Sequence, residues 1–252
     1  MSSEGVDTFS TALNPALTEA TGKRFVLRYL QNLTAVEVAR HHAAGLSVGV
    51  IWETTGKRAL NGAASGTVDA QQALAAANKL GVPSGVPIIL AECDTNITPN
   101  QIPTVAAYYK AAQAVLGAHR AWGYGGIVPA RACLSLGVVG GWMQTYGWSG
   151  TPTVWDPRAS IRQYLNAQRI GTTTVDLDLM VTAVPLWDPA PATPTGGQTD
   201  MPLTSADVAA IWRQPIHTAK GDVPIIQWIA DMKTELDAVN AELSAIKAKL
   251  GA

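Results

Sequence analysis

Six carboxylates carry the chemistry this sequence offers. In VPIILAECDTN (residues 86–96) an apolar run ends, without a turn, in Glu92 and Asp94, one residue apart. Asp7 ends the short apolar stretch in GVDTFS, Glu53 follows LSVGVIW, and Asp176 and Asp178 alternate in TTTVDLDLM. Residues two apart on a strand share a face, so Glu92 with Asp94, and Asp176 with Asp178, can each project together into one cavity. Carboxyl groups crowded in a partly dry pocket cannot all ionise freely, which keeps a proton available near neutral pH. Glycoside cleavage needs this: a carboxylic acid protonates the leaving oxygen, while a carboxylate attacks the anomeric carbon or activates water. Capping a following helix or pairing with Arg is the competing use of any single one of these groups. Several strand ends together favour a shared acidic pocket, with Glu92, Asp94, Asp7 and Asp178 as the expected catalytic set and Glu92 as its general acid.

Hydrogen bonds to sugar hydroxyls are expected from Asp176, Glu53, Arg28, Tyr124 and Gln163, with Tyr29 and Tyr164 as polar aromatics beside them. Trp148, in the glycine-flanked YGWSG, is the expected stacking residue. Trp52, Trp122, Trp142 and Trp155 could also stack on a sugar, although core packing is the commoner use of such residues. A serine–histidine hydrolase would need a placed histidine. His41 and His42 instead sit in a helical stretch, His119 precedes a strand, and His217 lies beyond a linker. No HExxH or comparable metal spacing occurs, so neither a metal nor a cofactor is expected.

The elements that must position these groups alternate. GVDTFS, RFVLRYL, LSVGVIW, VPIILAE and AWGYGGIV read as strands, and the stretches near 13–20, 34–43, 67–80, 100–117 and 129–136 read as helices. The clearest helix, TVDAQQALAAANKLG, offers Thr67 or Asp69 as a cap and Gly81 as a stop. After residue 138 the helical pattern disappears, leaving VVGGWMQTYGW, SIRQYLN and TTTVDLDLM as strand candidates. Five βα units followed by three bare strands predict a closed α/β barrel of the TIM type, (β/α)5β3, over residues 1–188, whose strand C-terminal ends form the active face. An open doubly wound sheet is the alternative, but no Gly-rich phosphate loop follows the first strand.

Residues 189–200, within WDPAPATPTGGQTD, have the Pro, Thr and Gly composition of an extended linker. In the tail, residues 201–252, LTSADVAAIW reads as a short capped helix, and a long helix is expected from about Asp222 with Pro224 in its first turn. Ile225, Ile229, Met232, Leu236, Val239, Leu243, Ile246 and Leu250 then form a 4-3 seam. With Leu prevailing at the a positions and mostly β-branched residues at d, that seam predicts a parallel trimeric or tetrameric coiled coil.

The chain has 252 residues, 47% hydrophobic and 15% charged, which suits a buried core. A formal net charge of −1 without a Lys/Arg cluster removes the attraction that nucleic acid or an anionic membrane would need. No signal peptide or membrane span is visible, so synthesis in a host cytoplasm followed by action at a bacterial cell wall or within a virion is the expectation. Cys93 and Cys133 are too few for a disulfide framework and read as buried thiols.

Over about residues 4–180 the chain resembles the glycoside-hydrolase-like barrel domain of actinobacteria and their phages, a distant relative of the family 25 lysozymes. The resemblance is carried by GVDTFS, by GTVDAQQALAAANKLGVPSGVPIILAECD, by GYGG, and by RQYLNAQ with VDLDLM. It implies a barrel with reduced helices at its end and an acidic site made by Asp7, by Glu92 with Asp94, and by Asp176 or Asp178. Family 25 lysozymes carry Asp-x-Glu on strand four, whereas this chain has Glu-x-Asp. With the linker and seam, the resemblance implies a phage cell-wall glycan hydrolase, the alternative being a non-catalytic wall-binding or structural tail-tip protein.

Overall fold

The computed structural model describes residues 2–91, 97–145, 154–189, 215–218, 221–224 and 233–234. Strands β1 (Ser3–Thr8), β2 (Phe25–Tyr29), β3 (Ser47–Trp52), β4 (Ile88–Leu90), β5 (Ala121–Gly125), β6 (Gly141–Thr145), β7 (Ile161–Ile170) and β8 (Thr173–Met180) close into a barrel in that order. Helices α1 (Pro15–Ala20), α2 (Ala35–Ala43), α3 (Ala63–Leu80), α4 (Ile102–Leu116) and α5 (Ile127–Leu136) follow the first five strands in turn. This is the (β/α)5β3 barrel that the alternation predicts.

Strand directions add what the pattern does not contain. Strands β1 to β7 pair in parallel, whereas β8 runs antiparallel to both β7 and β1. Only Gly171 and Thr172 separate β7 from β8, and Gly171 turns with φ 59°. A parallel return would need a crossover of a dozen residues or more, so so short a connection allows only a hairpin. The mouth of the barrel, where β1 to β7 end, therefore meets the N-terminal half of β8. Asp176 and Asp178 reach the site from within that strand and not from its C-terminal end.

Local chemistry accounts for the helix bounds. The Thr34 hydroxyl caps α2 by accepting the Glu37 N–H at 3.2 Å. Helix α3 begins earlier than expected, at Ala63 after Gly62, so neither Thr67 nor Asp69 caps it. The Thr67 hydroxyl donates back to the Ala63 carbonyl, and buried Asp69 holds Arg58 and the Tyr108 hydroxyl. The stop at Gly81 is as expected, in the left-handed conformation with φ 85°.

Two apolar clusters follow from the period of two along each strand. Val6, Val26, Val48, Val50, Trp52, Leu90 and Trp142 face outward onto the helices. Phe25, Leu27, Ile51, Ile89, Trp122, Met143 and Ile161 fill the interior. An eight-stranded barrel has room only for side chains, and glycines make that room. A Cβ on Gly5 would stand 2.4 Å from the Phe25 ring, and one on Gly141 would stand 2.5 Å from the Trp122 ring. Beyond β8, Val184 and Leu186 join the interior cluster, while Trp187 pairs with Val48 at the start of β3. The end of the barrel opposite the mouth is thus stoppered by chain that follows the last strand.

Contacts divide the chain into units Met1–Thr193 and Pro194–Ala252. In the second, β9 (Pro215–Thr218) and β10 (Gly221–Pro224) form an antiparallel pair. The expectation of a helix beginning at Asp222 is corrected here. Asp222 pairs with His217, and Pro224 with Pro215 at the end of the ladder, where a residue without an N–H is tolerated. All eight residues of the 4-3 seam and the LTSADVAAIW segment lie outside the described residues. Among the described residues no helix is long and apolar enough to cross a membrane.

Candidate active site

At the mouth the interior turns from apolar to polar. Asp7 on β1 lies opposite Asp176 on β8 in the ladder, and Asp178 lies opposite Gly5 one step deeper. Tyr124 on β5, Thr145 on β6 and Gln163 on β7 complete the layer through hydrogen bonds. The Gln163 amide nitrogen donates to Asp7 Oδ2 at 2.6 Å and to Asp176 Oδ2 at 3.1 Å. Its oxygen accepts from the Tyr124 hydroxyl at 2.9 Å and the Thr145 hydroxyl at 2.6 Å. Asp176 Oδ1 takes the Ala167 N–H at 2.7 Å. Ala167 holds φ 55° where the β7–β8 register shifts, and such left-handed strain in a bulged strand re-aims a backbone donor. Above this layer opens a cavity of about 350 Å³ lined by Asp7, Thr8, Phe9, Ser10, Tyr29, Thr174, Val175 and Asp176.

Burial decides the charge states. It pushes the Asp7 carboxyl above its usual range, the Asp176 charge adds to the push, and the Gln163 hydrogen bond opposes it. Asp178 is also raised well above its usual range, first by burial and then by the charges of Asp7 and Asp176. Burial also raises Asp176, against the Ala167 N–H, and raises Glu53 just beyond β3. Tyr29 and Tyr124 are raised by burial and by these same carboxylates, so both stay protonated as donors. The pocket therefore retains protons at pH values where exposed carboxyls have lost them.

Of the expected residues, Asp7, Asp176, Asp178, Tyr124 and Gln163 come together here, with Tyr29 in the cavity wall and Glu53 close enough to perturb it. Gln163 has every hydrogen-bonding position taken by protein, leaving it nothing to offer a sugar. Arg28 is corrected outright. It alternates with inward-facing Leu27 and Tyr29 and so points out of the barrel, where its Nε donates to Glu37 Oε1 at 2.6 Å and its Nη1 to the Thr8 carbonyl. Glu92, Asp94 and Trp148 lie outside the described residues. Trp52 and Trp142 pack between barrel and helices, Trp122 fills the interior, and Trp155 lies beneath the Arg162 guanidinium at 5.6 Å. Among the described residues no group of three or more His, Cys, Asp or Glu could hold a metal ion.

Two contributors escape a reading of strand-end carboxylates. Thr145 is a small hydroxyl with no motif around it. Phe9 is 60% exposed on the cavity wall and meets Tyr29 edge-on, with ring centroids 5.3 Å apart. An apolar ring left in water just after a buried strand is the signal that could have found it.

The family model described as Rv2525c-like, glycoside hydrolase-like domain matches residues 16–181. No curated protein matches the chain. Among solved structures, the Tat-secreted protein Rv2525c of Mycobacterium tuberculosis, in complex with L-tartrate, superposes with a TM-score of 0.68 at 18% identity, covering 73% of this chain and 98% of that one. An uncharacterized protein of B. stearothermophilus gives a TM-score of 0.52 at 19% identity, covering 70% of this chain and 95% of the other. The spore cortex lytic enzyme SleM of Clostridium perfringens gives 0.49 at 13% identity, covering 71% and 67%.

Proposed function

The chain belongs to the family of Rv2525c-like, glycoside hydrolase-like domains, and from that premise we propose that it hydrolyses a bacterial cell-wall glycan of the peptidoglycan type. The observation that carries this reading is the acidic layer at the barrel mouth, where Asp7, Asp176 and Asp178 converge under an open cavity and burial raises all three carboxyls. Glycosidic cleavage requires one protonated and one ionised carboxyl beside the scissile bond. Glu92, two residues beyond the end of β4 in the sequence, is the proposed general acid, with Asp7, Asp94 and Asp178 as its carboxyl partners. The test is incubation with purified actinobacterial cell wall and measurement of released reducing ends. Tight binding without release would reject hydrolysis in favour of a wall-binding or structural virion protein, the reading that the Glu-x-Asp order of Glu92 and Asp94 supports.

Phe9 is the proposed sugar platform in this pocket. Phe9→Ala should weaken glycan binding about tenfold, on the order of one lost aromatic contact, and leave the melting temperature unchanged because the ring is exposed. Unaltered binding would remove Phe9 from the site.

We further propose a phage lysin or tail-tip protein acting at the actinobacterial wall, its barrel in residues 1–188 and its tail assembling it as a parallel trimer or tetramer. A chain ending at Asp188 keeps Trp187 on Val48 and the Ser47 hydroxyl on Asp188 at 2.7 Å, and should melt cooperatively as a monomer. Light scattering on the intact protein should give three or four times the chain mass. A monomer at micromolar concentration rules out the assembly.

A further inference from the structure

Taking the acidic layer as the reacting site, we propose that Gln163 is a positioning residue that sets the order in which its three carboxyls ionise, Asp7 and Asp176 before Asp178, so that Asp178 keeps the last proton of the three. A primary amide has two N–H donors and an oxygen with two lone pairs. In Gln163 all four are used, on Asp7, Asp176, Tyr124 and Thr145, and the side chain is fully buried. Turned over, the amide would aim its oxygen at two carboxyl oxygens, so the observed orientation is bound to Asp7 and Asp176 acting as acceptors. A hydrogen bond donated to a carboxylate favours its charged form.

Asp178 stands in contrast. Both its oxygens are buried, and among the described residues no N–H or hydroxyl reaches either of them. The hydrogen it can share is its own; given to Asp7, it would favour the acid at Asp178 and the anion at Asp7. Among the described residues, the groups bearing on the trio are Glu53 beyond β3, Tyr29 on β2, Tyr124 on β5, Tyr164 on β7, and Lys23 ahead of β2, whose charge acts on Asp178. Lys23 is paired with Glu4 at 2.5 Å, which blunts its pull on the deeper carboxyl.

The test needs no substrate, so its failure and the failure of the glycan reading are separable. Difference infrared spectra of the full chain between pH 5 and 9 follow the carbonyl stretch of protonated carboxylic acids. The component surviving to the highest pH should vanish in Asp178→Asn and persist in Asp7→Asn. Gln163→Met, which removes both donors in an unbranched chain of similar length, should raise the ionisation of Asp7 by about one pH unit or more. Survival of the last component in Asp178→Asn, or an Asp7 step unmoved in Gln163→Met, overturns the proposal.

Melting curves give a second readout if Met is not tolerated at position 163. With folded values raised, the trio's stabilisation is fully present below about pH 4, the unfolded carboxyl value, and is lost as pH rises through the raised values. Asp178→Asn removes the largest of these losses. Its melting temperature relative to wild type should therefore climb from pH 5 to pH 9, and a difference independent of pH would count against the assignment.

Discussion

Glu92→Gln and Asp7→Asn are each expected to lower the release of reducing ends from actinobacterial wall by about 10² to 10⁴-fold, the range of a lost general acid or base. Both replacements are near-isosteric. At Asp7 the asparagine oxygen can still accept from the Gln163 amide, which donates at 2.6 Å, so the barrel should fold and, near neutral pH, melt no lower than wild type, since a carboxyl raised by burial has already lost part of its stabilisation there. What is lost is the ability to carry charge or pass a proton at the base of the cavity. A loss below about tenfold in Glu92→Gln would move the general acid to another carboxyl. A loss confined to KM in Asp7→Asn would make Asp7 a binding group and not a reacting one.

The second large effect concerns stability and starts from the residue that turned away from the pocket. Arg28 is 0% and Glu37 4% exposed at their side chains, and His41 lies 3.5 Å from the same Glu37 oxygen. Removing one member of a buried pair strands the other's charge, which costs about 3 to 5 kcal/mol. Glu37→Ala should accordingly lower the melting temperature by roughly 6 to 20 °C, taking 2 to 4 °C per kcal/mol for a unit of this size. The double variant Arg28→Met with Glu37→Leu should recover much of that loss, because an apolar pair of similar volume leaves no buried charge. A Glu37→Ala loss under about 1 kcal/mol would mean that water reaches Arg28. Because Arg28 also binds the Thr8 carbonyl, next to Asp7, Glu37→Ala should disturb the pocket as well as the fold.

Much of this architecture is legible in the sequence because it rests on local periodicity. Alternation along RFVLRYL and LSVGVIW, and the Ala/Leu spacing of the helix ending at Gly81, are properties of neighbouring residues. Arg28 shows what that reading omits. Period two places it on the opposite face from Leu27 and Tyr29, so a strand-end position alone could not bring it to the pocket. The reversal of β8 was hidden in a connection of Gly171 and Thr172, whose shortness is the physical signal. Gln163 was legible as polar and well placed, but its role depends on partners 156 and 13 positions away, on two other passes of the chain. No local pattern encodes that meeting. Thr145 was silent for the same reason.

The pairing of β1 with β8, from Ser3 with Met180 to Asp7 with Asp176, also sets a clock. At about 5 to 20 residues per second, roughly 10 to 35 seconds of synthesis separate the two strands. For that interval β1 has β2 on one side and an open edge on the other, and the Asp7 carboxyl is still in water with an ordinary acidity, because Asp176 and Asp178 on β8 have yet to be made. Non-local pairings of this kind fold slowly, so the nascent chain is most vulnerable to edge-to-edge association before its last barrel strand emerges. The acidic layer comes into being only at the moment the barrel shuts.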